Sequence, residues 1–419
     1  MLRNLSLALR NLARYKTRTA ITVIAVLVSV LVSTVVDGFI RGIFNMSTYN
    51  LLSYESAEVT IYENGYFEKR NEYPSDHLIS ASELQEAEER LERAGIRYSP
   101  RYKTAADIIF YKEEEDSEFD LNALLVGLDP EMDSRVFRLS SSVSEGSWLE
   151  RGADGIVIGS RIAEKLGLSV GSLVTVSTTG RGGFAETLDE EVIGILNSEN
   201  PAVNGSEVFM SLDVLDDYLF LDGAVSEISV TDGRASDPSP AVQKRTSRIL
   251  ENSTLEAYYY EAVNDDLMAI MNGDKGSSYL ILIFLFIIAA SGISNTMIMA
   301  ALERQKESAM LRSLGFSRRN ITSMFVLEGV IAGAIGAIIG TAAAAAVLYP
   351  LSRNGIDITA WVSSDADFGY RVPLVLRSGM YWQSFLIIPS LAVVLSGLSA
   401  FFPVFRSGRE EIAELFRRA

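Results

Sequence analysis

The sequence predicts an integral membrane α-helical protein with four transmembrane helices and a large mixed α/β extracytoplasmic domain between the first and second spans. Four uncharged apolar runs of about 18 to 28 residues each match the length that one helix needs to cross a ~30 Å hydrocarbon core. Between the first two runs lie roughly 20 basic and 44 acidic residues, whereas the whole chain carries a net charge of -17. The runs are Thr19–Val36, Ser277–Leu302, Gly329–Ser352 and Ser378–Phe405.

The first segment of the chain predicts an amphipathic helix at the membrane surface. Leu2, Leu5, Leu9 and Leu12 recur at helical spacing, and the basic residues up to position 18 stand among them without any acid. A cleaved signal peptide is the alternative for the apolar run that follows. That run is long and leads into STVVDGF rather than an A-x-A-like site, which favours an uncleaved first span.

Lys and Arg near the span ends predict the orientation. They cluster in the N-terminal segment, in the loop after the second span and in the C-terminal tail, which places both termini in the cytoplasm of a multi-pass inner (cytoplasmic) membrane protein. The predicted parts are the amphipathic helix 1–18, the first span 19–40, the periplasmic domain with a helical stalk 41–276, the second span 277–302, a charged cytoplasmic helix 303–319, the third span 320–352, a short outer loop 353–377, the fourth span 378–405 and the tail 406–419.

The acidic insert reads as a folded domain with its own core. At about 235 residues it is large enough to fold without disulfides, and the chain has no cysteine. Short alternating runs such as Glu58–Tyr62 predict strands, and Ser82–Ala94 predicts a helix whose capping box joins Ser82 to Gln85. A helical stretch from about Tyr260 leads into the second span. The strong negative charge argues against a nucleic-acid partner.

No pattern in the chain predicts catalysis or a metal site. There is no Walker A motif (GxxxxGK[ST]), so a P-loop is excluded. His77 is the only histidine, and a solvated loop residue is favoured over a zinc ligand or triad member. A hairpin turn is favoured over a phosphate cradle for Gly180–Gly183, and a solvated turn over a calcium loop for Glu113–Asp116.

The charged helix after the second span offers a partner an apolar stripe. Met310, Leu311 and Leu314 share one face by helical spacing, while charged residues occupy the rest, and Gly315 ends the pattern.

The third span contains a small-residue pattern and one acid. Gly329 and Gly333 are four residues apart, as are Gly336 and Gly340, and these two pairs predict close helix packing in the membrane. Glu328 precedes them by one position and is a possible intramembrane functional carboxylate. Snorkelling of Glu328, or its pairing with Arg318 or Arg319, is the structural alternative.

The stretch ALERQKESAMLRSLGFSRRNI, followed by FVLEGVIAGAIGAIIG, resembles the permease core of MacB/FtsX-type ABC transporters. That family has an E-R/K-x-x-E-x-x-x-L-R-x-L-G pattern in its cytoplasmic coupling segment. The order of one span, a large outer domain and three more spans agrees, and GIVIGSRIAEKLGLSVGSLVTV resembles a piece of the family's outer domain. Residues 258–283, YYYEAVNDDLMAIMNGDKGSSYLILI, are more similar to lipoprotein-releasing (Lol-type) permeases than to the macrolide exporter. The residues that the resemblance assigns to coupling with an ATPase are Glu303, Arg304, Glu307, Leu311, Arg312, Leu314 and Gly315. Met310 joins this set because helical spacing places it on the same face as Leu311 and Leu314.

The resemblance implies a non-enzymatic permease that works by mechanotransmission. Two permease subunits, in a homo- or heterodimer, would dock on an ATPase dimer that binds ATP and Mg²⁺, so no cofactor is expected on this chain. In Lol-type systems a lipoprotein leaves the outer leaflet of the inner membrane for a periplasmic carrier. An efflux permease for peptides or antibiotics with a periplasmic adaptor is one alternative, and a non-transporting signal transducer is another.

Overall fold

The computed structural model of the chain describes residues 10–112, 117–181, 183–233, 235–303, 310, 312–358 and 375–407. They divide into two compact units. The first, the membrane unit, holds the described residues up to Ile43, Ile270–Ile358 and the described residues from Val375 onward. The second, the insert domain, holds Phe44–Ala269.

Four described helices are long and apolar enough to cross a membrane. The first two extend beyond their apolar runs, since residues 41–50 and 265–276 contain no proline that would break a helix. The first span lies in α1 (Lys16–Asn50), the second in α10 (Asp265–Glu303), the third in α11 (Arg318–Asn354) and the fourth in α12 (Trp382–Ser407).

The glycines of the third span lie where other helices approach closely. A Cβ on Gly336 would meet the carbonyl oxygen of Val23 in α1 at 2.6 Å, and one on Gly340 would meet that of Leu27 at 2.7 Å. On another side of α11, a Cβ on Gly329 or Gly333 would come within 2.8 Å of an α12 side chain. The glycines therefore let the third span pack against the first and the fourth.

The insert domain is built on one ten-stranded mixed sheet, in the order β10-β1-β9-β2-β3-β8-β5-β7-β4, with β6 pairing with β2 and β7. Most pairs are antiparallel, and β3–β8 and β5–β7 are parallel. The strands are β1 (Val59–Glu63), β2 (Arg97–Lys112), β3 (Ser117–Leu128), β4 (Val143–Gly146), β5 (Ile156–Gly159), β6 (Leu173–Thr179), β7 (Ala185–Leu196), β8 (Glu207–Ser211), β9 (Glu227–Thr231) and β10 (Leu255–Tyr259).

The first and last strands of the insert domain are direct neighbours. β1 pairs with β10 in antiparallel register, with Val59 opposite Tyr259 and Glu63 opposite Leu255. The chain therefore enters and leaves the sheet side by side.

Short helices pack on the sheet and enclose two apolar clusters, one around Ile108, Ile158 and Leu215, the other around Val157, Phe209 and Leu128. A π-helical turn, Leu51–Glu55, follows α1. The helices are α2 (Tyr66–Lys69), α3 (Ala81–Arg93), α4 (Pro130–Val136), α5 (Ser160–Leu166), α6 (Pro201–Ser206), α7 (Leu212–Leu219), α8 (Pro240–Ile249) and α9 (Tyr260–Val263). A short pair, β11 (Ile356–Asp357) and β12 (Val375–Leu376), belongs to the described residues outside this domain.

The capping box of α3 differs from the prediction. Ser80, not Ser82, caps the helix: its side chain accepts from the amide of Glu83, and the Glu83 carboxylate accepts from the amide of Ser80. The spacing S-x-x-E/Q occurs twice here, two residues apart. The earlier pair carries a full negative charge into the first turn, where the helix dipole favours it.

A buried ion pair crosses the interior of the insert domain. The Arg101 side chain is fully buried, its Nε lies 2.8 Å from Asp133 Oδ1, and its guanidinium lies over the Phe137 ring at 3.5 Å. The Ser99 hydroxyl donates to the same carboxylate oxygen at 3.1 Å. Burial raises the pKa of Asp133, and the neighbouring Arg101 opposes that shift.

Candidate functional site

The turn between the second and third spans presents two apolar side chains to solvent. Met310 is 57% exposed and Leu314 is 70% exposed. The Leu314 amide donates to the Met310 carbonyl oxygen at 3.1 Å, so both side chains lie on one face of a helical turn. Most of each side chain is therefore free to contact another protein.

The residues after this face fix its position. Gly315 has a φ of +90°, the left-handed conformation that glycine adopts most readily at a helix end. Phe316 packs against a small apolar cluster of Ala300, Ile321 and Phe325. Ser317 then caps α11 by accepting from the Asn320 amide. The turn is thus attached to the ends of the second and third spans, so a push on its exposed face acts on both.

The structure describes part of the predicted coupling set. Glu303 is exposed at the end of α10, and Arg312 is half-buried in the turn. Arg304, Glu307 and Leu311 lie outside the described residues. We call Met310 and Leu314, together with the turn through Ser317, the coupling face.

Glu328 lies in a buried polar cluster of the membrane unit. Its side chain is almost fully buried, Asn11 Nδ2 donates to Oε1 at 2.6 Å, and Arg18 Nη2 lies 3.8 Å from Oε2. Arg18 also approaches Met297 Sδ of the second span at 3.5 Å. The cluster therefore brings the N-terminal segment and the first three spans to one point.

The partners of Glu328 were not predicted. Arg319 is nine residues away, and at about 100° per residue nine positions lead to the opposite side of a helix. The observed cation is Arg18 of the first span. The sequence signal that could have suggested this pair is an acid in one span, Glu328, and a basic residue at the same end of another span, Arg18. The sequence does not reveal which two spans are neighbours.

We expect Glu328→Leu to loosen the N-terminal segment. The substitution removes the carboxylate that Asn11 and Arg18 share, and losing a hydrogen bond to a charged group costs about 1.5–3 kcal/mol, or roughly 10- to 150-fold in an equilibrium. Trypsin should then cut at Arg10 and Arg14 correspondingly faster in membrane vesicles that expose this side. Glu328→Gln, which can still accept from Asn11, is the matched control and should change the rate less. Equal cleavage of the unchanged protein and both variants would show that Glu328 does not hold the N-terminal segment in place.

The other candidate residues from the sequence form no metal or phosphate site in the described part of the chain. His77 is partly exposed, and no group of three or more metal-ligating residues occurs among the described residues. Gly180 and Gly183 lie in the turn of the β6–β7 hairpin, where the Gly180 amide donates to the Phe184 carbonyl oxygen at 2.9 Å. This confirms the prediction of a hairpin turn for that segment. The predicted turn Glu113–Asp116 lies outside the described residues.

Two family models match the chain. The MacB-like periplasmic core domain matches residues 19–249, and the FtsX-like permease C-terminal model matches residues 279–412. The second match includes the coupling face, Glu328 and the glycines of the third span.

Individual relatives match this chain over 45% to 94% of their own length. An uncharacterized ABC transporter permease of Methanocaldococcus jannaschii is 22% identical over 418 residues, which cover 96% of this chain and 94% of that protein. The lipoprotein-releasing system transmembrane protein LolC of Xylella fastidiosa is 22% identical over 331 residues, 76% of this chain and 78% of LolC. The ABC transporter permease YtrF of Bacillus subtilis is 27% identical over 207 residues, 46% of this chain and 45% of YtrF.

Proposed function

Because the chain belongs to the family of ABC transporter permeases with a MacB-like periplasmic core domain and an FtsX-like C-terminal domain, we propose that it transmits force from an ATPase dimer to the insert domain. Membership of this family implies, in general, an ATPase partner and a second permease subunit. The chain itself supplies no P-loop, so ATP and Mg²⁺ belong to the partner. It is a transport subunit rather than an enzyme.

The observation that carries this proposal is the coupling face. Two large apolar side chains stand exposed where the second span ends and the third begins, outside the apolar runs. Exposed apolar groups at such a place contribute free energy only if another protein covers them. An ATPase docked there would move the ends of both spans together. The predicted members Glu303, Arg304, Glu307 and Arg312 would add charged contacts at the rim.

The orientation follows from the same proposal. The coupling face must meet the ATPase in the cytoplasm, so the four spans place both termini there as well. The insert domain then lies in the periplasm, and the protein resides in the inner membrane. The basic residues on either side of the coupling face agree with this arrangement.

We propose that the cargo is a lipoprotein, extracted from the outer leaflet of the inner membrane and passed to a periplasmic carrier. Support comes from similarity to LolC of Xylella fastidiosa and LolE of Haemophilus influenzae, each across 76% of this chain. The spans also support a lipoprotein cargo over a small polar solute, since the described helices bury few charged groups that would line a polar solute pathway. Efflux of peptides or antibiotics is the second candidate, favoured by the match to the MacB-like domain.

A photocrosslink from a residue near either end of the insert domain's sequence tests the cargo. A photoreactive residue replaces Met46, which is half-buried, or Glu261, which is exposed beside the buried Tyr260. During ATP turnover we expect an acylated protein to be captured, as identified by mass spectrometry. The matched control replaces Glu164, an exposed residue of α5. Capture of an unacylated peptide would point to efflux, and capture of a hydrolase or sensor kinase to signalling; either result would contradict lipoprotein release.

A further inference from the structure

A second buried carboxylate of the membrane unit lies at the opposite end of the first span. Asp37 is 9% exposed, and Arg41 Nε, one turn later in α1, donates to its Oδ1 at 3.1 Å. The hydroxyl of Ser384 in α12 donates to its Oδ2. A buried carboxylate costs several kcal/mol unless its oxygens are bonded, and here both oxygens are. One of the two donors belongs to a different span.

The backbone brings the same two helices together. The Gly379 amide donates to the carbonyl oxygen of Gly38 at 2.9 Å, and the Tyr381 hydroxyl donates to that of Arg41 at 3.2 Å. A Cβ on Gly42 would lie 2.5 Å from the Arg377 carbonyl oxygen, so only glycine permits this approach. We call Asp37, Arg41, Tyr381 and Ser384 the insert-side latch, because it lies at the end of α1 that leads to the insert domain.

The third span is attached at the same end. The Ser378 hydroxyl donates to the carbonyl oxygen of Leu348 in α11 at 3.4 Å. Further along, the glycines of α11 pack against α1 and α12 over their whole spacing. Hydrogen bonds at the latch and close backbone packing at the glycines of α11 therefore join the first, third and fourth spans.

The second span differs from the other three. Two hydrogen bonds from its described residues to neighbouring spans lie far from the latch: the Thr296 hydroxyl bonds that of Thr22 at 3.2 Å, and Ser294 donates to the Ser399 carbonyl oxygen at 3.2 Å. From Tyr279 to Gly292, no described side chain forms a hydrogen bond with another span. Large apolar side chains in this part are more than half exposed, namely those of Tyr279, Leu280, Ile283, Phe284, Ile287 and Ile288.

We infer that the insert-side latch makes the first, third and fourth spans one rigid block, and that the insert-side half of the second span moves against this block. Asp37 is the positioning residue, because its two oxygens bind both helices of the latch. Apolar contacts with few hydrogen bonds can slide without leaving a polar group unsatisfied, whereas opening the latch would leave a buried carboxylate without its donors. The inference concerns the membrane unit alone; its use in transport rests on the proposed function.

The absence of cysteine allows a direct test by electron paramagnetic resonance. Spin labels are placed on exposed side chains of the full chain in lipid nanodiscs, diluted with unlabelled chain. Val28→Cys with Leu386→Cys reports the first and fourth spans, and Val28→Cys with Ile283→Cys reports the first and second. We expect one narrow distance for the first pair and a distribution at least about twice as broad for the second.

Substitution at Asp37 then tests the latch itself. Asp37→Leu should broaden the Val28–Leu386 distribution to the width of the other pair. Asp37→Asn can still accept from Arg41 and bond Ser384, so it should keep that distribution narrow. Equal widths for the two pairs with the latch intact, or a Val28–Leu386 distance that ignores Asp37→Leu, would overturn the inference. These measurements need neither ATP nor cargo. The proposed function is tested separately by adding the partner ATPase and ATP, and it fails if the Val28–Ile283 distance does not respond.

Discussion

Replacing both Met310 and Leu314 with aspartate is expected to abolish the stimulation of the partner's ATP hydrolysis by cargo, while the chain still inserts into the membrane. The two side chains are 57% and 70% exposed, so their loss removes little packing within this chain. Buried under a partner, each would contribute about 1.5–3 kcal/mol. Losing both weakens docking by at least about 3 kcal/mol, or more than 100-fold, before any charge is desolvated.

The measurement is the ATPase rate of the reconstituted complex, with and without cargo, beside co-purification of the ATPase subunit. Ser313→Asp is the control, because it adds one of the two negative charges to the same turn without removing an apolar group. Ser313 is exposed, and its hydroxyl donates to the Met310 carbonyl oxygen at 2.7 Å. We expect the control to keep most of the stimulation. Full stimulation in the double aspartate variant would mean that the ATPase docks elsewhere.

Arg101→Met is expected to destabilise the insert domain by about 3–5 kcal/mol, because it leaves the Asp133 carboxylate buried without its cation. A domain has a free energy of unfolding of about 5–15 kcal/mol, so the loss approaches the whole stability of a marginal domain. Arg101 Nη2 lies 2.7 Å from Asp133 Oδ1, and both side chains are at most 1% exposed. Water therefore cannot replace the lost partner.

A second substitution separates the effect of the unpaired charge on stability from the effect of the lost side-chain volume. Arg101→Met combined with Asp133→Leu removes both charges, and apolar replacements of a buried ion pair are often neutral or stabilising. We expect the double variant to regain most of the free energy of unfolding, as measured by pulse proteolysis of the full chain in urea. If the double variant is no more stable than Arg101→Met alone, packing rather than charge explains the loss.

The cost of Arg101→Met should also depend on pH. Burial raises the pKa of Asp133, and removing Arg101 raises it further. An acid whose folded-state pKa lies above its unfolded value lowers stability as the pH rises between the two values, because the unfolded chain ionises first. The difference in free energy of unfolding between the variant and the unchanged protein should therefore narrow as the pH falls from 7 toward the unfolded-state pKa of about 3.9, and it becomes smallest below that pKa, where Asp133 is protonated in both states.

The spans and much of the sheet could be predicted because each leaves a local pattern. Apolar runs identify the four long helices, and alternating residues identify β6, where Val174 and Val176 are buried between more exposed neighbours. Element ends were less predictable. α1 continues to Asn50 because no proline after the apolar run breaks the helix, and the strand predicted at Glu58–Tyr62 is observed one residue later, as β1 (Val59–Glu63).

The contacts that organise the site could not be predicted, because they join distant parts of the chain. Asn11 and Glu328 are 317 positions apart, and Asp37 and Ser384 are 347 apart. No local pattern selects those partners. Asp37 did leave a weak signal, as an acid at the end of an apolar run with Arg41 one helical turn later, between Gly38 and Gly42. The exposed face of Met310 and Leu314 was predictable, because helical spacing alone defines it.

Because β1 and β10 lie side by side, the insert domain could be replaced by another folded module. With Val59 opposite Tyr259, its two ends leave through adjacent strands, so a different folded module with neighbouring ends could be joined at the same place without rerouting the chain. The MacB-like model covers residues 19–249, which include the first span, and the FtsX-like model covers residues 279–412, which reach from the second span to the fourth. Another insert domain could therefore be accommodated while the spans and the coupling face keep their sequence.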